Sequence, residues 1–317
     1  MKIPLKIRLL LWLINRDATL QIHQMSAPQA RQVTEKKKAR IEKFLDYAPL
    51  PLHRVFDLAI PGRDSQIPVR IYQPTAEKNL PLIVYFHGGG FVLPGVDSHD
   101  KVCRRIAHDN QAVVLSVEYR LAPEFKFPIP VHDSYDATVW AAENAALHHG
   151  DPTRLVVMGD SAGGNLATAV CLLARDLQGP KIACQVLIYP CTDATMGSDS
   201  ITTYGAGYLL THASMKWFVG HYKATDKDLY SPYMSMLLAD DVTNLPPAFV
   251  FTAEYDPLKD EGRQYAEKLR AAGNEVLYKD YGGLIHGFMN MPKMSPHILG
   301  AYADIRAVLA KYLSPNN

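Results

Sequence analysis

A chain of 317 residues, 48% hydrophobic and 21% charged, has the material for one large α/β domain with an added subdomain or for two small domains, and is neither disordered nor fibrous. Its 33 Lys and Arg against 32 Asp and Glu leave a net charge of +1, too small to draw a polyanion, so nucleic acid is set aside as a partner. Cys103, Cys171, Cys184 and Cys191 form no C-x-x-C and no metal-type spacing, and each lies in an apolar stretch; reduced, buried thiols in a cytoplasmic setting are the expectation.

The first residues, "MKIPLKIRLLLWLINR", are basic and then apolar, as in a signal peptide, but no small-x-small cleavage site follows. The unbroken apolar run at 9–14 falls far short of the about 20 residues that a bilayer span requires. Residues 1–50 hold ten Lys or Arg against four Asp or Glu, so a positive amphipathic segment could touch an anionic membrane surface. The simpler expectation is a helix whose leucine and tryptophan face packs on the protein's own body.

"VFDLAI" and "IPVRIYQ" then read as two antiparallel strands. After them come "LPLIVYF", "AVVLSVEY", "RLVVMG", "CQVLIYP", "PAFVFTAEY" and "EVLYKDY", short apolar or β-branched runs. Helix-length segments at about 98–109, 132–148, 162–177, 260–272 and 296–313 separate most of them. Near-continuous apolar strands joined by helices predict a mostly parallel sheet covered on both faces. Residues 191–245 break the rhythm: no strand pattern, a solvated "KATDKD" turn, and Tyr204, Tyr208, Trp217, Phe218, Tyr222 and Tyr230, for most of which ordinary packing is expected. The expected organisation is therefore a core from 51–190 and 246–317, with 1–50 and 191–245 contributing a helical cap over the C-terminal edge of the sheet. No repeat or low-complexity tract is present.

In "MGDSAGGN" (158–165) an apolar strand runs into a serine and then a helix, the context in which G-x-S-x-G acts as a nucleophile elbow. Glycines at 159 and 163 fit a turn so tight that side chains there would strike the neighbouring strand and helix. Ser161 needs a base and the base needs a carboxylate. In the order serine, acid, histidine, "FVFTAEYDPLKD" supplies Asp256, with Glu254 and Asp260 as rivals, and "KDYGGLIHGF" supplies His286. These lie 95 and then 30 residues further along, each where a loop leaves the sheet's C-terminal edge. Of the other histidines, His108, His148 and His149 read as solvated helix ends, and His53, His132, His212 and His221 fall before the serine or in the expected cap. "VYFHGGGFVL" (84–93) adds a strand ending in a histidine and three glycines, a loop whose backbone N–H groups can approach a developing oxyanion; the Ala162 N–H at the following helix start is a further donor. A phosphate loop is the competing reading, but neither G-K-[ST] nor a helix-opening G-x-G-x-x-G follows. His87 is then expected to orient the loop and not to act as a base.

"HGGGF" at 87–91, "YRLAPE" at 119–124, "GDSAGGN" at 159–165, "DPLKDEG" at 256–262 and "HGF" at 286–288 together resemble the hormone-sensitive-lipase-like branch of the α/β-hydrolase esterases. The resemblance implies an α/β-hydrolase fold with a helical cap, no cofactor and no metal. It also implies a serine carboxylesterase acting on small-molecule esters of short- to medium-chain acids. By the same resemblance Ser161 is the nucleophile, His286 the base and Asp256 its orienter, with oxyanion N–H groups from Gly89, Gly90 and Ala162 and Gly88 as a further candidate. An amidase or arylformamidase with the same triad is an alternative. So is a non-catalytic binding protein of this fold, as in the plant gibberellin receptors, which lack the histidine that stands here at 286. Pro94 interrupts the loop after "HGGGFVL", Arg120 and Glu124 are expected to pair within "YRLAPE", and an edge strand or the last helix could join two subunits.

Overall fold

A computed structural model describes residues 1–16 and 21–313. The strands are β1 (Arg54–Pro61), β2 (Gln66–Gln73), β3 (Leu80–Phe86), β4 (Val113–Val117), β5 (Gly150–Asp160), β6 (Cys184–Ile188), β7 (Ala248–Tyr255) and β8 (Val276–Ile285). They form one sheet in the order β1-β2-β4-β3-β5-β6-β7-β8. β1 with β2 and β2 with β4 are antiparallel; every later pairing is parallel. The helices are α1 (Leu5–Arg16), α2 (Ala27–Leu45), α3 (Asp100–Asn110), α4 (Ile129–Asn144), α5 (Ala162–Asp176), α6 (Asp199–Tyr204), α7 (His212–Tyr222), α8 (Lys259–Ala271) and α9 (Pro296–Tyr312).

The central strands are apolar along their whole length because both faces are covered. Alternate residues of β3 enter two separate cores. Leu82, Val84 and Phe86 pack with α4, α5 and α8; Ile83 and Tyr85 pack with α1, α3 and α9. Residues 191–245 hold α6, α7 and short 3₁₀ turns and no strand, as their pattern suggested. Tyr222 is buried there and stacks on Phe91 with ring centroids 3.8 Å apart, whereas Tyr230 is 68% exposed. The Trp217 indole donates to the Met25 carbonyl at 3.1 Å, joining this stretch to the N-terminal segment.

Two expectations are corrected. The outer leucine and tryptophan face of α1 does not pack on the body: only Ile7 and Leu11 are buried, while Leu5, Leu9, Trp12 and Leu13 face outward. A 12-residue helix lying on a domain surface buries one stripe, and none of the described residues covers its remaining apolar side chains. Nor does Arg120 pair with Glu124. Its guanidinium and backbone N–H all turn to Asp133 in the first turns of α4, at 2.7–2.9 Å for the shortest contacts, because that carboxylate is buried and needs a cation. Glu124 takes Arg31 of α2 instead, through two bonds of 2.6 and 2.8 Å, and Arg31 also donates to the Val92 and Ala122 carbonyls.

Arg120→Met strands the Asp133 carboxylate in the core, and urea unfolding should show a loss of about 3–5 kcal/mol. Adding Asp133→Leu to that variant should recover most of it, because the pair is then replaced and no longer broken.

Candidate active site

β5 ends at Asp160 and α5 begins at Ala162, leaving Ser161 alone in the turn with φ 56° and ψ −118°. This is left-handed backbone that a serine adopts only when its surroundings impose it. They do so through Ile188, whose carbonyl accepts the Ser161 N–H at 2.9 Å, and through Asn165 and Cys191, whose N–H groups reach the Ser161 carbonyl. The flanking glycines are sterically required. A Cβ on Gly163 would lie 1.9 Å from the Phe86 carbonyl oxygen, and one on Gly159 would lie 2.2 Å from that of Gly163.

The Ser161 hydroxyl stands 3.0 Å from His286 Nε2, and His286 Nδ1 stands 2.7 Å from Asp256 Oδ2. A carboxylate can only accept, so Nδ1 carries the proton and Nε2 presents its lone pair to the hydroxyl. The other Asp256 oxygen accepts the Leu258 N–H at 2.9 Å, which fixes the carboxylate plane; the group is fully buried. His286 follows the last residue of β8, and Gly287, at φ 75°, turns the chain away behind it. Neither rival acid is near this relay. Glu254 binds the N-terminal ammonium and the Gly283 N–H, each at 2.7 Å, and Asp260 accepts the Ser200 N–H at 2.9 Å.

The loop from β3 brings three glycines beside Ser161. Gly89 and Gly90 have φ of 124° and 61°, and the ring of Phe218 in α7 lies where a Gly90 Cβ would be. The N–H groups of Gly89, Gly90 and Ala162 have no hydrogen-bond partner among the described residues. Gly88, the further candidate, drops out of this donor set because its N–H is spent on Asp160 Oδ1 at 3.0 Å. His87 serves the loop: buried and stacked on Tyr119, it faces the Gly88 carbonyl through Nδ1 at 2.7 Å, and burial pushes its pKa down. A ring so placed props the loop and does not reach Ser161. No three His, Cys, Asp or Glu side chains among the described residues are grouped to hold a metal.

Two residues of this site, Asp160 and His99, carry no motif of their own in the sequence. Asp160 is buried and accepts from Tyr85 at 2.7 Å, from Gly88, and from His99 Nε2 at 3.2 Å. Burial raises a carboxyl pKa, but here the positive charge of His99, its hydrogen bond, and those of Tyr85 and Gly88 outweigh it and hold Asp160 at about 2. The only sequence signal was a charged residue at the end of an otherwise apolar buried strand, which must have partners.

This depressed pKa has a stability consequence with a definite sign. The folded state binds the Asp160 proton less readily than the unfolded chain, so the stabilisation is full above about pH 4 and is lost as pH falls toward about 2. Asp160→Asn should therefore destabilise less at pH 3 than at pH 7, by about 1 kcal/mol in urea unfolding.

A family profile for the α/β-hydrolase fold matches residues 83–290. The carboxylic ester hydrolase LipN of Mycobacterium tuberculosis is 43% identical over 266 residues, covering 82% of this chain and 71% of that protein. The ethyl acetate hydrolase of Pseudomonas putida is 38% identical over 279 residues, 86% of each chain. A hyperthermophilic esterase from the archaeon Pyrobaculum calidifontis superposes with a TM-score of 0.91 at 40% identity, over 99% of this chain and 100% of that one. With the serine elbow, the glycine loop and the imidazole relay in one place, and relatives of this kind along nearly the whole chain, the protein belongs to the α/β-hydrolase family, in its hormone-sensitive-lipase-like esterase branch.

Proposed function

We propose that this protein is a serine carboxylesterase that hydrolyses short- to medium-chain acyl esters through an acyl-enzyme. The observation that carries the reading is the unbroken relay from Asp256 through His286 to Ser161, with its two contacts of 2.7 and 3.0 Å. In the forward step Ser161 Oγ bonds to the ester carbonyl carbon while its proton passes to His286 Nε2. The carbonyl electron pair moves onto oxygen, where the N–H groups of Gly89, Gly90 and Ala162 meet it; the last of these sits at the positive end of α5. Collapse of the tetrahedral centre breaks the bond to the alcohol oxygen, which takes the proton from His286. Water then gives its proton to His286 and attacks the acyl carbon; collapse of the second tetrahedral centre breaks the bond to Ser161 Oγ, which takes the proton back from His286 as the acid leaves. Asp256 holds the ring in its productive tautomer and stabilises the imidazolium.

The relatives support a small ester as substrate, among them the one named for ethyl acetate hydrolysis. The reading includes a cap formed by 1–50 and 191–245 over a core of 51–190 and 246–317. Its support is the position of Phe218 against Gly90, of Leu209 3.3 Å from a Cβ built on Gly287, and the bond from Trp217 to Met25. Phe218 then limits the room beside the reacting carbonyl.

Ser161→Ala should lower turnover of p-nitrophenyl butyrate by on the order of 10⁴ to 10⁶ and abolish labelling by a fluorophosphonate probe. Parental turnover in that variant, or a parental enzyme that the probe does not label, would remove the assignment, and matched ester and anilide substrates compare ester with amide cleavage. Phe218→Ala should raise kcat/KM for octanoyl relative to butyryl esters by roughly 10-fold, read from an acyl-length profile spanning acetyl to dodecanoyl.

A further inference from the structure

The outer face of α1 presents apolar side chains that the described residues leave uncovered. Leu5, Leu9, Trp12 and Leu13 are 77%, 57%, 50% and 53% exposed. Their spacing places them within about 100° of arc on one side of the helix, opposite the buried Ile7 and Leu11. Lys6 and Arg8 border this stripe on its two sides, and Arg16 lies over the Trp12 ring, 4.1 Å from its centroid. No acidic residue occurs in residues 1–16.

The helix is also held in place. The N-terminal ammonium binds Glu254, the Met1 carbonyl accepts from Tyr255, Lys6 reaches the Lys293 carbonyl at 3.1 Å, and Asn15 donates to the Gly207 carbonyl at 2.8 Å. Lys293 in turn donates to the Lys43 carbonyl at the end of α2, where Phe44 is 62% exposed beneath the Lys43 ammonium. The apolar stripe and its basic border therefore belong to a fixed surface that extends beyond one helix.

We propose that α1 docks this protein on an anionic phospholipid bilayer surface. The Leu5, Leu9, Trp12 and Leu13 side chains enter the boundary between headgroups and acyl chains, and Lys6, Arg8 and Arg16 face the phosphates. An apolar stripe with a basic fringe and an amphipathic tryptophan matches an interface whose surface is negative and whose interior is apolar. A second copy of the chain fits less well. Stripe against stripe would bring Lys6, Arg8 and Arg16 close to their counterparts, with no carboxylate on either α1 to offset them. The arrangement is surface contact and not a span, because no helix among the described residues is long and apolar enough to cross a membrane.

Docking has a consequence for the proposed esterase, though it does not depend on it. Asn15 touches Gly207, and Leu209, itself exposed, reaches Gly287 next to His286. The docked face thus adjoins the histidine side of the site, where an amphiphilic ester held in the bilayer would meet it.

The test uses the purified full chain with large unilamellar vesicles of phosphatidylcholine alone or mixed with phosphatidylglycerol. The protein should sediment with the anionic vesicles and be released as NaCl is raised to about 0.5 M, where charge attraction is screened within a few ångströms. Its tryptophan emission should shift to the blue on binding, and Trp12→Phe should remove that shift. Leu9→Glu/Leu13→Glu should weaken binding at least about 10-fold while p-nitrophenyl butyrate is still turned over at the parental rate, which reports an intact fold. Should that variant fail to fold, Arg8→Glu/Arg16→Glu serves in its place, with the same loss expected. Absence of binding to anionic vesicles, equal binding to neutral ones, or binding untouched by these substitutions would overturn the proposal. So would self-association that Leu9→Glu/Leu13→Glu abolishes in a protein that ignores vesicles, since the stripe would then belong to a second copy.

Discussion

Contact between the Phe86 carbonyl and the start of α5 governs the geometry of the whole site. β3 and β5 pair in parallel with Phe86 opposite Gly159, so the carbonyl that ends β3 points straight into the elbow. Only a glycine at 163 lets α5 approach that carbonyl, and only a glycine at 159 lets the chain double back above it. The price is Ser161 itself, whose left-handed backbone costs of order 1–3 kcal/mol and is retained because its N–H and carbonyl are both bonded to the ends of neighbouring elements. The gain is positional. A residue in this turn projects its side chain off the sheet edge, clear of both strand and helix, with the residue after it opening a helix. The same closeness of β3 to β5 sets the loop that starts at His87 immediately beside the serine.

Two buried carboxyl groups then hold the loops around the elbow, and their surroundings shift their pKa values in opposite directions. Asp160 has His99 and donors from Tyr85 and Gly88, and these outweigh the cost of burial, so it stays ionised. Glu261, in the first turn of α8, is just as deeply buried but has no cation. Burial dominates there, the backbone N–H groups of Thr192 and Asp193 only partly offset it, and the nearby Asp193 and Asp256 add repulsion, so its pKa is pushed well up. Both groups end on the same object: Asp160 fixes Gly88 on one side of Ser161, and Glu261 fixes the 192–193 backbone, whose neighbour Cys191 bonds the Ser161 carbonyl on the other.

Strand runs and their connecting helices were legible because a doubly covered parallel sheet needs continuous apolar strands, a pattern few other arrangements produce. The relay was legible for a different reason: Ser161, Asp256 and His286 each terminate such a run, so the elements that could be read also gave the positions that could not. What escaped was set by partners distant in the chain. Nothing near Arg120 says that Asp133 is buried and Glu124 is not; that depends on where α4 and α2 lie. His99 stands in an unremarkable helix start and matters only because Asp160 comes up beneath it. Amphipathic spacing identifies two faces of a helix without saying which is covered, so the direction of the α1 apolar face is not legible in the sequence; Ile7 and Leu11 are enough to anchor it.

The reach of His286 is the last constraint. In the order β5-β6-β7-β8 the serine leaves one strand, the acid another two places away and the histidine a third, so at about 4.8 Å per strand the ends of β5 and β8 are separated by about 14 Å. An imidazole placed on β8 like the other side chains would fall short. β7 and β8 overrun β6, the β7–β8 register shifts between Ala253 and Tyr255, and Tyr255 comes to lie opposite Ile285, so that the residue after it can lean back across the sheet edge. Tyr189, directly after β6, fills the space beneath and packs its ring against the imidazole with centroids 4.7 Å apart. Asp256, from the strand between, then meets Nδ1 from behind. The contact of 3.0 Å at the serine is thus the result of a strand overrun, an irregular register and an aromatic support, each supplied by segments that carry none of the reacting atoms.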